Sequence, residues 1–363
     1  FKNLGMDNPN GSQRYYIGYV DWTGVNGLIE YTGSDKFSAV LQMGTSSQKY
    51  QWEGFYTAAP STLSRKITVD GGYIKGGANF RANDNSNFFF NVGQIMRPPS
   101  FDGVFPNADY DFEEADDILN ESFTSFELGY GFRSSNFKGT INAYHTVWGD
   151  RTLRRSTSID DQGVRIIYSG VEQTHQGIEG EMTWYPSSRL RINGMFSLGD
   201  WKYTKNFQGD AYFIDNNQPA GTTGTLYLDG VKIGDAAQTV LYLGFDYKLS
   251  SKLSVDLDMM SYDNLHGRFG PLDSEFNSAN NRGSIKLPSW GTADLGATYS
   301  FNLLGYDARA RLNVNNLFDE EYLSQSQTNF HNDGGRTWNG INVENNVYFG
   351  KGTTWNLGLN INF

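Results

Sequence analysis

Alternation of apolar and polar residues is the clearest pattern in the chain, and it is strongest at the carboxy terminus. Every second residue of segment 353–363 is apolar, namely Trp355, Leu357, Leu359, Ile361 and Phe363. Only Asn and Gly stand between them, and Thr353 and Thr354 precede them. Successive side chains of a β-strand point to opposite faces, so the pattern predicts a strand with one apolar and one polar face. Its length is that of a membrane-spanning strand, which needs about 9–11 residues.

Further segments show the same period and extend the prediction to most of the chain. Clear alternation recurs in 191–198, 241–247, 254–259 and 308–315. Weaker candidates for strands are 15–31, 36–56, 68–82, 86–97, 122–134, 137–154, 163–170, 173–185 and 292–302. Together these segments predict roughly 13 or 14 strands.

The predicted connections alternate between short and long. Short turns lie at 134–136, 186–188, 250–251 and 303–305, and long polar segments at 98–121, 204–236, 264–290 and 318–346. Barrels of the outer membrane have short turns at one rim and long loops at the other. The chain is therefore expected to be all-β and to form a transmembrane antiparallel β-barrel, with residues 1–363 in one domain.

Composition is compatible with this prediction and excludes other classes. The mean hydropathy of −0.53 is low, but barrel strands need apolar residues only at alternate positions because their other face is polar. A net charge of −11 argues against nucleic acid as a partner. Because cysteine is absent, the fold depends on no disulfide. The chain opens with no signal peptide, so we expect that it does not begin at the start of its gene.

Three segments resemble the TonB-dependent receptors of outer membranes. Segment 312–322 (LNVNNLFDEEY) is similar to the N-x-x-N-L-F-D-x-x-Y motif before the last strand of that family. Segment 87–101 (NFFFNVGQIMRPPSF) resembles a strand in the middle of the family's barrel, and 122–131 (SFTSFELGYG) resembles the strand after it. Segment 174–201 and the sequence DAAQT at 235–239 look like receptors from Bacteroidota.

The resemblance implies a function and several partners. It implies a 22-stranded barrel filled by an amino-terminal plug, of which this chain is the carboxy-terminal part. Such a receptor imports a nutrient across the outer membrane of a Gram-negative bacterium and is driven by a TonB-type periplasmic energy-coupling protein. Membrane lipids are expected partners. The resemblance leaves open whether a surface lipoprotein is a further partner. It also leaves open whether the cargo is a siderophore, a cobalamin, a peptide or a glycan.

Two other functional classes stay open at this point. One is a passive channel or a structural barrel within a larger outer-membrane assembly. The other is a secreted soluble β-protein or a glycan-active enzyme. We expect no enzymatic activity, because the sequence shows no arrangement of catalytic side chains.

The candidate ligand-binding residues all come from predicted loops. They are Asp109, Tyr110, Asp111, Phe112, Tyr212, Phe213, His331 and Trp338. The acidic run 109–117 has oxygen ligands suited to Ca²⁺, but such runs more often only interact with solvent. The four histidines show no i, i+4 pairing, so neither a metal site nor a cofactor site is predicted.

Two groups of strand residues have structural interpretations. Charged pairs at alternate positions are expected to share a polar, water-filled face: Glu179 with Glu181, Asp256 with Asp258, and Arg309 with Arg311. Aromatic residues near predicted strand ends are expected to form a girdle at headgroup depth. These are Trp148, Trp184, Tyr185, Trp201, Trp355 and Phe363.

Overall fold

The computed structural model describes residues 16–54, 62–105, 114–115, 118–159, 161–213, 218–220, 224–270 and 273–362. Its regular structure is almost entirely β. The helical elements among these residues are one helical turn at Phe101–Val104 and a 3-10 turn at Ser274–Asn277. None of the described helices is long and apolar enough to cross a bilayer. The all-β prediction is confirmed.

Thirteen strands form one continuous antiparallel path, and we number them in chain order. They are β1 (Tyr16–Ser34), β2 (Phe37–Gly54), β3 (Ile67–Asn83), β4 (Ser86–Arg97), β5 (Glu121–Arg133), β6 (Phe137–Ile159), β7 (Gln162–Ser187), β8 (Leu190–Tyr203), β9 (Thr239–Lys248), β10 (Leu253–Asp263), β11 (Trp290–Leu303), β12 (Tyr306–Asn315) and β13 (Thr354–Asn362). Each strand pairs with its neighbours in sequence, so the path is a meander.

The remaining short strands lie in the long connections. Phe207–Phe213 pairs with the far end of β7 and with Gly224–Leu226, and Thr62–Leu63 pairs with β2. Two small hairpin pairings, Leu323–Ser326 with Val347–Phe349 and Thr337–Trp338 with Ile341–Asn342, lie between β12 and β13. Most short turns therefore meet at one end of the sheet, and the long connections meet at the other, which we call the loop end; the short connection between β6 and β7 also lies at the loop end. This agrees with the predicted alternation.

One predicted boundary is wrong. Segments 163–170 and 173–185 were expected to be two strands, but both belong to β7. The residues between them form a bulge, because the pairing with β6 shifts between Tyr168↔Leu153 and Val171↔Arg151. Gly170 has a φ of +70°, a conformation that glycine adopts without strain. The predicted break between the two segments, at 171–172, therefore lies within a strand. Likewise, Pro186 and Ser187, predicted as part of a turn, end β7.

The sheet has two chemically different faces. We call the face that carries Leu357 and Leu359 the apolar face, and the one that carries Asn356 and Asn360 the polar face. On β13, Trp355 is 72% exposed, Leu357 68% and Leu359 60%. Soluble monomers rarely expose contiguous apolar surface on this scale, so the apolar face suits contact with lipid.

Ion pairs and hydrogen bonds cross the polar face. Arg311 Nη1 and Nη2 donate to the two carboxylate oxygens of Asp256 at 2.8 and 2.9 Å, and Arg191 Nε donates to Asp246 at 2.8 Å. The register also places the predicted pairs Glu179/Glu181 and Asp256/Asp258 on this face. A concave cavity of about 750 Å³ there is lined by residues from β3 to β9, so the sheet curves around its polar side.

Compact apolar cores occur at the loop end. β6 and β7, with 23 and 26 residues, are more than twice as long as a membrane crossing requires and project beyond the other strands. The buried residues Val164, Ile166 and Tyr168 near their tip join residues of the connections 204–238 and 264–289 in one cluster. The polypeptide therefore forms compact apolar cores at this end.

Reversing the polarity of one apolar-face position tests the assignment of faces. Leu359→Arg in the full-length protein is expected to lower the free energy of unfolding by about 2–4 kcal/mol, because it puts a charge into hydrocarbon. Asn360→Arg puts the same side chain on the polar face, where water screens it from Arg309 opposite, and should cost less than about 1 kcal/mol. Urea unfolding in phospholipid vesicles measures both; equal losses would refute the assignment.

Candidate ligand-binding site

Three long connections at the loop end fold together into one unit. We call the described parts of 204–238, 264–289 and 316–353 the loop layer. The largest apolar cluster joins the first two: Leu226, Leu228 and Val231 pack with Phe276, and all are at most 5% exposed. A second cluster joins the last two and contains Leu265, Ile285, Leu287, Leu323 and Ile341. Burial of this apolar area holds the loops in a fixed arrangement.

Side-chain amides and hydroxyls connect the loop layer further. Ser284 Oγ donates to the Lys232 carbonyl at 2.9 Å, and Asn281 Nδ2 donates to the Tyr227 carbonyl at 2.9 Å. Asn329 Oδ1 accepts from the Ile285 N–H at 2.7 Å. Each bond satisfies a main-chain group that no strand satisfies, so removing one side chain would leave a polar group without a partner.

A charged triad joins the last two connections. Arg282 Nη2 lies 2.8 Å from Glu275 Oε2, and Nη1 lies 2.5 Å from Asp333 Oδ1. Hydrogen bonds from Arg282 lower the pKa of Glu275 to about 2. The glutamate therefore stays ionised, and the triad stays intact, throughout the physiological pH range.

His266 lies at the meeting point of the three connections. It is 9% exposed, and its Nδ1 lies 3.2 Å from the Ser284 carbonyl, while its own carbonyl accepts from the Asp235 N–H. Burial lowers the pKa of His266 below its ordinary value. The imidazole is consequently neutral at pH 7 and is a packing residue there, not a charged ligand-binding group.

Two of the predicted loop residues prove to be tied into the loop layer. His331 Nε2 donates to the Gly283 carbonyl at 2.9 Å. Trp338 packs edge-on against Phe349, with 5.1 Å between ring centroids, and borders the second apolar cluster. Both contacts are structural, and ligand binding by either residue stays a prediction.

The other predicted residues fall into two groups. Tyr212 and Phe213 lie on the strand Phe207–Phe213, opposite Arg165 and Val164 of β7, not in an irregular loop. Phe213 packs on the largest apolar cluster. Asp109, Tyr110, Asp111 and Phe112 lie outside the described residues. Among those described, no three His, Asp or Glu side chains are grouped closely enough to hold a metal ion.

Aromatic rings gather on the polar face just below the loop layer, where no girdle was expected. Trp148 stacks on Phe123 at 5.0 Å, and Trp201 Nε1 donates to the Tyr144 hydroxyl at 2.9 Å. Their positions in β6 and β8 alternate with apolar-face residues, so Trp148 and Trp201 face inward and their assignment to a lipid-facing girdle is wrong. Trp184 and Trp355 do lie on the apolar face. We call Phe123, Tyr144, Trp148, Trp201 and Tyr203 the aromatic collar.

Gln238, which the sequence analysis did not single out, holds the end of β8. It is 1% exposed, its Oε1 accepts from the Trp201 N–H at 2.9 Å, and its Nε2 donates to the Trp201 carbonyl at 3.0 Å. Its own carbonyl accepts from the Gly199 N–H at 2.6 Å. The two segments that looked like Bacteroidota receptors, 174–201 and 235–239, therefore meet at this residue.

The segment 312–322 anchors the beginning of β13. Asn316, with a φ of +49°, bonds through its side chain to main-chain atoms of Glu320 and Lys351. Tyr322 stacks on Trp290, with 3.8 Å between ring centroids. It also occupies the space above Gly350, where a Cβ would lie 1.9 Å from the ring. The motif is thus a structural joint between β12 and β13.

Comparisons with known proteins agree with this architecture. A family model described as "TonB dependent receptor-like, beta-barrel" matches residues 6–317. The structure of the ferric-catecholate import receptor Fiu from Escherichia coli K12 is 14% identical, covering 96% of this chain and 45% of that chain at a TM-score of 0.61. The ferric yersiniabactin uptake receptor FyuA from Yersinia pestis is 13% identical, covering 96% and 47% at 0.61.

A third solved structure and the curated proteins complete the comparison. The copper transporter OprC is 14% identical, covering 94% of this chain and 49% of that chain at a TM-score of 0.60. A comparison with curated proteins finds no match. The chain thus spans about half the length of the solved structures that it resembles.

Removing the Gln238 side chain tests its role in holding β8. Gln238→Ala is expected to reduce the local free energy of opening at 199–203 by about 1–3 kcal/mol, because it leaves buried main-chain groups of Trp201 without partners. Amide hydrogen exchange of the full-length protein measures this loss. Gln208→Ala, at an exposed position, is the control and should leave exchange unchanged; similar protection in both variants would show that Gln238 is dispensable.

Proposed function

The chain belongs to the TonB-dependent receptor family of β-barrels, and from this premise we propose that it is the carboxy-terminal part of an energised importer. The imported nutrient binds at the loop end and crosses the outer membrane through the space bounded by the polar face. The protein acts by binding and conformational change, with no bond chemistry.

The combination of a two-faced sheet and a folded loop layer is the observation that supports this proposal. The apolar face fits hydrocarbon, the polar face carries ion pairs such as Arg311–Asp256, and the long connections form a fixed surface at one end only. A receptor needs this asymmetry because it must recognise its cargo on one side of the membrane. The solved structures that the chain resembles include a copper transporter and receptors for ferric chelates.

The proposal includes parts of the protein that this sequence does not contain. In the described sheet, β1 and β13 each pair on one side only. Strands left with a free edge in hydrocarbon would have unsatisfied N–H and C=O groups, which a membrane does not tolerate. We propose that further strands of the same protein close a 22-stranded barrel, that a plug fills it, and that a TonB-type protein pulls on the plug.

The proposed location is the outer membrane of a Gram-negative bacterium, where receptors of this family reside. The resemblance of segments 174–201 and 235–239 to receptors from Bacteroidota supports the proposal that the chain is of that type. A surface lipoprotein that covers the loop layer is compatible with this type.

Nutrient uptake by the native bacterium tests the proposal. Cells would be offered one source at a time from a panel: ferric catecholate, ferric citrate, copper, cobalamin, an oligopeptide and an oligosaccharide. Deletion of the full-length receptor gene is expected to reduce high-affinity uptake of one source at least tenfold. Deletion of the energy-coupling protein should reduce uptake of the same source equally, and restoring the receptor alone should not rescue it.

A passive channel would behave differently in the same experiment. Its solute would still enter cells that lack the energy-coupling protein, and the purified full-length protein would conduct ions steadily in a planar bilayer. Uptake independent of energy coupling, together with a steady open conductance, would overturn the importer and leave the channel as the better function.

A further inference from the structure

Three consecutive residues, 266–268, join the main chains of all three connections in the loop layer, and we call them the junction. The carbonyl of the first accepts from the Asp235 N–H, in the first connection, at 3.3 Å. The N–H of the second donates to the Ile285 carbonyl, in the second connection, at 2.8 Å. The N–H of the third donates to the Ser326 carbonyl, in the third connection, at 2.8 Å. Disturbing the junction therefore affects every part of the layer.

The side chain of Asp235 connects the same three segments. Its Oδ1 accepts from Gln325 Nε2 of the third connection at 2.9 Å, and its Oδ2 lies 3.7 Å from Arg268 Nε of the second. Asp235 has a φ of +73°, a conformation that a residue with a Cβ keeps only where its surroundings enforce it. The contacts around the junction thus depend on one closely fitted arrangement of the three connections.

The buried side chain at the junction is an imidazole. His266 is 9% exposed, and its Nδ1 donates to the Ser284 carbonyl at 3.2 Å. The third connection reaches the residue before Ser284 through His331, whose Nε2 donates to the Gly283 carbonyl at 2.9 Å. Burial lowers the pKa of His266, because a charged imidazole loses its hydration there, and the hydrogen bond to Ser284 offsets only part of this effect.

The charges that face His266 oppose a second proton on its ring. Lys232 of the first connection and Lys286 of the second both repel an imidazolium and lower its pKa further. Asp263, at the end of β10, attracts it, but this carboxylate already binds Lys286 Nζ at 2.8 Å. Lys232 in turn pairs with Asp200. A proton on His266 therefore places a third cation among groups that are already paired.

Acid consequently weakens the junction. In an opened layer, the His266 imidazole takes up a proton near its ordinary pKa of about 6.5, whereas in the packed layer it does so only at lower pH. The free energy that holds the layer closed is fully present above pH of about 6.5. It decreases as the pH falls from there towards the lower pKa of the packed imidazole.

We propose that His266 makes the loop layer an acid-sensitive switch, in which protonation of the imidazole separates the three connections at the junction and opens the layer. The long strands pair through their own main chains, so the sheet stays intact when the layer opens. The switch goes beyond the proposed import, because it concerns how the surface at the loop end responds to pH.

Amide hydrogen exchange of the full-length protein in detergent at pH 7.5 and pH 5.5 tests the switch. Each rate is divided by the rate of an unstructured peptide at the same pH, which gives the opening constant of that amide. For the amides at 235, 267 and 268, the constant should rise at least threefold between the two pH values. Uptake of one proton limits the rise to about tenfold. Amides of β13 should show no such rise.

Three variants assign the response to one side chain. His266→Asn keeps a donor for the Ser284 carbonyl but takes up no proton, so its opening constants should be nearly equal at the two pH values. Lys286→Gln leaves Asp263 free to pair with the imidazolium and should show a smaller rise than the wild type. His331→Asn is the matched control in the same layer and should keep the rise of the wild type.

Each variant is compared with itself at two pH values, so a variant that is less stable at both still gives a result. An equal rise in wild type and His266→Asn, or no rise in the wild type, would overturn the switch. An equal rise for amides of β13 would do so too, because it would show that acid unfolds the whole sheet. Exchange requires neither cargo nor energy coupling, so failure of the switch is distinct from failure of energised uptake.

Discussion

Hydrogen bonding of the main chain is the constraint on which the rest of the structure depends. In hydrocarbon, each N–H and C=O must find a partner within the protein, and a meander of antiparallel strands satisfies this requirement for every strand that has a neighbour on both sides. Because side chains alternate across such a sheet, the apolar face can contact lipid while the polar face carries charged groups such as Asp246 and Asp256. Low mean hydropathy and a membrane location are therefore compatible.

The same constraint determines where specific structure can form. Within the membrane, the choice of residue at each strand position is restricted, since the face on which a side chain lies determines whether it is apolar or polar. At the loop end, water is available and β6 and β7 extend beyond the other strands, so long connections can build cores around residues such as Phe276 and Leu287. The compact loop layer is thereby confined to one end of the sheet, and the aromatic collar lies where the two regions meet.

The alternation of apolar and polar residues predicted much of the sheet, because alternation and chain order suffice to place strands in a meander. It predicted β13 nearly to the residue and the polar positions of Glu179, Asp256 and Arg311. It placed a break between 170 and 173 where β7 has a bulge, since a bulge interrupts the alternation as the end of a strand does. It did not separate the inward Trp148 from the outward Trp355, because an irregular strand end does not reveal which face a ring occupies.

The site was harder to predict because its contacts join distant segments. His331 looked accessible in the sequence, but its partner is a carbonyl 48 positions away. Gln238 has a structural role only because the main chain of Trp201 lies beside it. Such pairings follow from three-dimensional packing, which no local period encodes. The motif 312–322 was recognisable, yet its role as a joint became clear only when Tyr322 was seen above Gly350.

Accessibility of single cysteines along β13 tests the central claim most directly, since the chain contains no cysteine that would interfere. Each residue from Thr354 to Asn362 would be replaced in turn in the full-length protein and exposed, in native membranes, to a water-soluble maleimide and to a lipid-soluble one. The two-faced wall predicts strict alternation: the lipid-soluble reagent labels positions 355, 357, 359 and 361, and the water-soluble one labels those between them. Uniform labelling of all nine positions by the water-soluble reagent would contradict a wall that separates lipid from an aqueous interior.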